Sequence, residues 1–398
     1  MYESDFYLAD EGFRAARVEE TTKNRDKYWR YWKRYCKPLG VDMYLDPRST
    51  RFTTKVRAVS GFAARTRIGY YGRGKRVAVG TVRPALTAVG QTIAMDTGTN
   101  PLQVAGTDKL LPPLKMVLDG WGKEDDPVKK KLPVGADVPR QMVKKSKRSG
   151  ASQKDMRIGF LAVIAFFYLL RIGEYAVTGS KKKDKQTTQF RVKDVAFFVK
   201  RNGKLRQLSA NATDEEIRSA VSATLRLGNQ KNGWKNVCIN HHSTKNKRMC
   251  PVKSVGEVVI NIRKFSKDDN TLLSTYKEGG KVRDITDKDM RKAVKLAAAE
   301  LDYPNEHNIP LDRIDTHSFR AGGANALFRA GYSDTQIQKM GRWRGETFKE
   351  YISDQLSTFS KGMSKNMMKS FNFVNIAAGI LKDVTTLTLN RAYQVNSS

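Results

Sequence analysis

The residues from His317 to Tyr351 bring together groups that handle phosphate esters. Thr316-His317-Ser318-Phe319-Arg320 places an imidazole and a guanidinium three residues apart, a spacing that puts both on one face of a helix. Gly-Arg-Trp at 341–343 adds the indole N–H of Trp343, and Tyr351 adds a phenol. An imidazole exchanges protons near neutral pH, a guanidinium clamps anionic oxygen, and a phenolate is a nucleophile. Together they suit transfer at a phosphodiester.

The attack builds negative charge on the non-bridging oxygens, so planar cations that stay charged at any working pH are wanted. Arg320 is one. Arg171 is the second: it follows a run from Met156 to Tyr168 that is apolar nearly all round, in the sequence Leu-Leu-Arg-Ile-Gly-Glu. Glu174, three residues on, is placed to orient that guanidinium. Arg171 and Glu174 as a mere buried ion pair is the plainer alternative. The phenol of Tyr351, with an ordinary pKa of about 10, is roughly one-thousandth ionised at pH 7 and needs cations or a base to activate it. Tyr332 is the nearest other phenol. Lys231, in Gly-Asn-Gln-Lys-Asn-Gly-Trp between two strand-like runs, suits a general acid for the leaving oxygen; Lys235, Lys245 and Lys247 compete for that role. His317 simply capping its helix is the alternative for that residue.

The elements that must position these groups are mostly helical. Residues 1–12 read as a tail and 13–121 as an all-helical unit. Trp29, Trp32 and Cys36 mark an apolar stripe widened by Tyr28, Tyr31 and Tyr35. Helices follow over 49–65, from an N-cap at Thr81 to Met95, and over 112–121. Three prolines and several charge runs make 122–150 a basic linker. From 151 to 360 a mixed α/β unit is expected: three antiparallel strands (195–199, 223–227, 235–239) with a turn at Asn202-Gly203, then helices over 251–264, 287–301, 318–330 and 346–359, the third closed by Gly331. Residues 361–398 form a C-terminal segment with an amphipathic stretch at 371–381. The fold class is thus mainly α, a helical unit followed by a catalytic α/β unit with a small sheet.

Composition names the partner. Lys and Arg number 73 against 40 Asp and Glu, a net charge of +33, which points to nucleic acid first and an anionic membrane surface second. The flexible loop bearing Arg73, Lys75 and Arg76, with Arg83 nearby, and the run Lys144, Lys145, Lys147 and Arg148 are candidate DNA contacts. No apolar run reaches the ~18–20 residues of a membrane span, so no membrane partner is expected. Three scattered cysteines argue for a reducing compartment. Cys238, His241, His242 and Cys250 do not match a common zinc finger, so no metal is expected.

Arg171, Lys231, His317, Arg320, Trp343 and Tyr351 fall in the order of the tyrosine recombinase (phage integrase) family, which residues 150–360 resemble. The Gly-Arg-Trp…Phe-x-x-Tyr-Ile ending looks most like its eukaryotic transposon branch, the cryptons and DIRS-type elements. Trp343 and Tyr351 are eight residues apart, where most bacterial and phage members leave nine and the transposon branch commonly has eight. The resemblance implies double-stranded DNA as substrate, a 3′-phosphotyrosyl link formed by Tyr351 with release of a 5′-hydroxyl, and no ATP, metal or other cofactor. It implies four protomers on two duplexes, exchanging their C-terminal segments. For a eukaryotic chain the compartment is the nucleus, otherwise the DNA-bearing cytoplasm. Two rivals compete: a type IB topoisomerase-like enzyme with the same chemistry, and a transposon-derived DNA-binding protein that has lost activity.

Overall fold

The computed structural model describes residues 2–15, 19–127, 129–179, 187–229, 235–244 and 246–351. Five helices come first: α1 Tyr2–Ala15, α2 Glu19–Cys36, α3 Phe52–Arg67, α4 Val79–Thr97 and α5 Pro112–Glu124. The stretch expected as a tail therefore lies in a helix. The aromatic stripe of α2 turns inward. Trp32 is fully buried, meets Phe62 of α3 edge-on at 5.3 Å, and donates its indole N–H to the Met43 carbonyl at 2.8 Å. Val82, Leu86, Val89 and Ile93 of α4, with Leu114 and Leu118 of α5, complete this core.

Helix α4 begins at Val79, not at Thr81. Its cap comes from a distance: the Asp125 carboxylate accepts the Val79 N–H at 2.7 Å and is itself paired with the buried Arg67 at 2.9 Å. Pro84 consequently sits in the second turn.

The stretch expected as linker carries α6 Asp137–Ser146. Val138, Met142 and Val143 of α6 are buried. They pack on α7 Gln153–Phe167, which Ser152 caps by accepting the Asp155 N–H. Leu161, Ala162, Val163, Ile164 and Ala165 of α7 have no exposed surface, as an all-round apolar run requires. The short α8 Ile172–Tyr175 follows.

The sheet has four antiparallel strands rather than three, in the order β2-β1-β3-β4, from β1 Val195–Arg201, β2 Lys204–Gln207, β3 Ser222–Asn229 and β4 Lys235–His242. Asn202 (φ 49°) and Gly203 (φ 77°) turn β1 into β2 as expected. The extra strand, β2, is exposed along its whole length, so no apolar alternation marks it. Helix α9 Asp214–Arg218 links β2 to β3, and α10 Pro251–Arg263 follows β4. A second hairpin, β5 Thr275–Glu278 and β6 Lys281–Asp284, turns at Gly279-Gly280, both at positive φ.

Helices α11 Asp287–Glu300, α12 Tyr303–Glu306, α13 His317–Arg329 and α14 Asp334–Gly341 follow, then a 3-10 turn Glu346–Tyr351. Gly331, at φ 83°, ends α13, and Ser333 caps α14. Two glycines let α13 approach its neighbours closely, Gly322 the segment before α6 and Gly323 the end of α7. A Cβ on Gly322 would lie 1.9 Å from the Val134 carbonyl oxygen, and one on Gly323 would lie 2.3 Å from that of Phe166. The approach brings the start of α13 against the end of α7, and this contact builds the site.

Candidate active site

At the end of α7 the chain breaks sharply. Leu169 takes a left-handed conformation, φ 50°, costly for a residue with a Cβ. The break turns the chain into α8 with Arg171 at its N-cap. Glu174 closes the turn: its Oε2 accepts the Arg171 backbone N–H at 2.8 Å, and its Oε1 accepts Arg171 Nη1 at 3.2 Å. Glu174 is 1% exposed and the Arg171 side chain 25%. The expected orienting pair is therefore present, with the carboxylate inside and the guanidinium partly open.

Helix α13 supplies the next two groups. Thr316 is its N-cap residue, and the Thr316 N–H and hydroxyl both donate to the preceding Asp315 carboxylate, at 2.6 and 3.1 Å. His317 stands in the first turn and reaches solvent. Its pKa is lowered, first by desolvation on the side facing the protein and then by the positive charges of Arg320 and Arg171. The shift favours the neutral ring, the form able to accept a proton. Arg320, one turn on, is 1% exposed. Nη1 donates to the Leu169 carbonyl at 2.8 Å, Nη2 to the Gly341 carbonyl, and the guanidinium lies 4.4 Å from the Trp343 ring.

The end of α14 supplies the third part. Gly341 leaves room for the indole of Trp343, since a Cβ there would fall 1.5 Å from the ring. Trp343 is 6% exposed and also packs on Phe348 at 6.0 Å. Between them Arg342 adopts a left-handed backbone, φ 59°, ψ 42°. Its side chain has no exposed surface. Nη1 donates to the Tyr168 carbonyl at 3.1 Å, and Nη2 to the Leu169 carbonyl at 3.0 Å and to Glu174 Oε2 at 2.9 Å.

Four expected residues, Arg171, His317, Arg320 and Trp343, thus meet with Glu174 in one cluster knit by Leu169 and Gly341. Arg342 is a member that sequence reasoning passes over. It sits inside the Gly-Arg-Trp triplet, but nothing local marks an arginine that bonds to main-chain carbonyls far upstream. Tyr351 ends the 3-10 turn that follows Trp343; its side chain lies outside the described residues. So does Lys231, whose segment joins β3 to β4 beyond the pair Asn229 and Lys235. The expected helix beyond Tyr351 and the amphipathic stretch at 371–381 lie outside them as well.

The basic residues expected on DNA are mostly at the surface. Arg73, Lys75, Lys144 and Arg148 are exposed. Arg76 pairs with Glu124 at 2.9 Å and Arg83 with Asp119 at 2.9 Å, while Lys145 pairs with Glu300 and Lys147 donates to the Lys247 carbonyl at 3.2 Å. Exposed pairs of this kind contribute about 0–1 kcal/mol, so a phosphate can displace the carboxylates of Arg76 and Arg83.

Among the described residues no group of His, Cys, Asp and Glu could hold a metal ion, and no helix is long and apolar enough to cross a membrane. His241 bonds instead to the Phe167 carbonyl, 2.8 Å from Nε2.

No family model and no curated protein matches the chain. Among solved structures it is similar to the Tn1549 transposon integrase in complex with transposon right-end DNA, at 13% identity and a TM-score of 0.47, covering 92% of this chain and 99% of that one. It is similar to the XerH site-specific recombinase bound to palindromic difH substrate in a post-cleavage complex, at 13% identity and a TM-score of 0.44, covering 83% and 78%. The XerA recombinase is a further neighbour, at 14% identity and a TM-score of 0.37, covering 88% and 100%.

Proposed function

We propose that this chain cuts and rejoins DNA strands as a tyrosine recombinase. In this reading Tyr351 Oη attacks a backbone phosphorus, a P–O bond forms, and the bond to the 5′-oxygen breaks. Neutral His317 takes the phenolic proton, and Lys231 gives a proton to the leaving 5′-oxygen. Arg171 and Arg320 hold the non-bridging oxygens with planar, permanently charged donors, and the Trp343 indole adds a neutral one. The phosphate stays esterified throughout, so the reverse attack by a 5′-hydroxyl reseals DNA and the scheme needs neither ATP nor metal. The helical unit over 13–121 and the basic run at 144–148 embrace the duplex, residues 151–360 carry the chemistry, and four protomers act on two duplexes. The eukaryotic transposon branch is the best fit to the Gly-Arg-Trp and Tyr351 spacing, and with it the nucleus.

The observation that carries the reading is the cluster itself. Two arginines from chain segments about 150 residues apart share the Leu169 region with a histidine and an indole.

The test is to incubate the protein with a library of random duplexes carrying a nick that lets the cut fragment diffuse away, then digest the trapped adducts and sequence the attached ends. The expected product is a peptide with a 3′-phosphonucleotide on Tyr351, formed equally in chelator. Attachment at Tyr332, or adducts undiminished in Tyr351→Phe, overturns the assignment. Relaxation of supercoiled plasmid by a monomer, without strand exchange, favours the topoisomerase reading.

A further inference from the structure

We propose that Arg342 is a positioning residue that takes up the charge of Glu174 and so leaves the Arg171 cation available to the phosphate. The inference rests on the role proposed above for Arg171. Glu174 orients Arg171, but a carboxylate 3.2 Å from a guanidinium also cancels much of the field that guanidinium presents to an anion. Arg342 meets the same carboxylate at its other oxygen, Oε2, at 2.9 Å, with neither partner more than 1% exposed. In so dry a setting the buried pair is the one that neutralises. Glu174 then serves Arg171 as a hydrogen-bonded guide while its charge is balanced elsewhere.

Two further features set Arg342 apart from a packing residue. It occupies a left-handed position, where glycine or asparagine is the cheap choice at a helix end. An arginine there carries a backbone cost. Its remaining bonds go to the Tyr168 and Leu169 carbonyls, and the latter also receives Arg320. One side chain thus steadies both arginines proposed to hold the phosphate.

The test measures single-turnover cleavage on nicked duplex, with DNA affinity and melting temperature alongside. Arg342→Met is expected to slow cleavage roughly 10- to 100-fold while affinity changes by less than about threefold, since most affinity comes from phosphate contacts elsewhere. Arg342→Lys, which keeps the cation, recovers part of the loss. The deciding variant is Glu174→Gln added to Arg342→Met: removing the stranded carboxylate restores cleavage roughly tenfold over the single variant. A purely structural role predicts that the single and double variants, compared per folded molecule well below both melting temperatures, cleave at the same rate, and that result overturns the proposal, as does wild-type cleavage by Arg342→Met.

Should Arg342→Met fail to fold, the double variant, which buries no unpaired charge, is compared with Arg342→Lys; a folded double variant that does not cleave overturns the proposal. If the wild-type protein forms no adduct on Tyr351, the catalytic reading fails, and the charge relation is read without DNA. The chain has four histidines, so the His317 ring is followed by NMR in histidine-labelled protein. Its titration moves up in Arg342→Met as Glu174 neutralises Arg171, and back down in the double variant. An unmoved titration overturns the proposal.

Discussion

Arg320 and Arg342 share one acceptor: both donate to the carbonyl oxygen of Leu169, at 2.8 and 3.0 Å. A single oxygen thereby ties α13 to the end of α14 through the break after α7. The left-handed Leu169 aims that oxygen, and the Gly341 carbonyl completes the cradle of Arg320.

Gly341 is the tightest point of the cradle. A methyl group there would overlap the Trp343 ring, whereas one on Gly345 meets nothing within 4 Å. Gly341→Ala is expected to cost at least about 2 kcal/mol in stability, because the indole cannot move without disturbing Arg320, and to abolish adduct formation. Gly345→Ala is expected to match wild type in thermal melting. Equal melting of the two variants contradicts the packing described.

The role proposed for Lys231 has its own signature. A general acid matters only when the leaving group needs a proton. Lys231→Ala is expected to slow cleavage of ordinary DNA about 10²–10⁴-fold, yet to cleave at near wild-type rate a duplex whose 5′-bridging oxygen is replaced by sulfur, because a thiolate departs unprotonated. If Lys235→Ala shows that pattern instead, the acid belongs to β4. If neither does, the lysine is not the acid.

How much of this is legible in sequence depends on where each bond goes. Arg171 is conspicuous because a charge ends an all-apolar run, and His317 with Arg320 because their spacing is one helical turn. Trp343 and Gly341 are legible as a pair. Arg342 is not, since its acceptors are main-chain oxygens and a carboxylate 168 to 174 positions away, which leave no local pattern. The start of α4 is missed for the same reason: its cap, Asp125, stands 46 residues downstream of Val79. The buried face of α6, Val138, Met142 and Val143, has helical spacing, but the neighbouring lysines and Pro139 make the stretch read as linker. Strand β2 has no buried side to betray it.

Binding to DNA should respond steeply to salt. Each phosphate neutralised releases counterions, giving a slope of about −0.9 per contact in a plot of log affinity against log salt. With a net charge of +33 and Arg73, Lys75, Lys144 and Arg148 exposed, a slope of about −5 or steeper is expected. Arg73→Ala and Lys75→Ala each flatten it by about one without altering the sequence of the captured ends. A slope near zero refutes the embrace proposed for the N-terminal unit.

His241 links pH to the ground on which the site stands. Its ring is packed edge-on against Tyr168 at 4.6 Å, and its Nε2 must donate to the Phe167 carbonyl at 2.8 Å, because a carbonyl only accepts. Burial pushes its pKa down from 6.5 to about 4; the bond to Phe167 opposes that shift, and His242 adds slightly to it. The unfolded chain therefore binds a proton that the folded chain refuses between about pH 6.5 and 4, and stability falls as pH falls through that window. The contribution lost is about 3 kcal/mol. His241→Gln keeps a donor for Phe167 but does not titrate. Denaturant unfolding across pH 4–7 should show wild type losing about 3 kcal/mol more than the variant, whereas parallel curves would mean that the ring is not buried neutral. Because Tyr168 also supplies a carbonyl to Arg342, adduct formation measured after brief acid exposure should decline sooner in wild type than in His241→Gln.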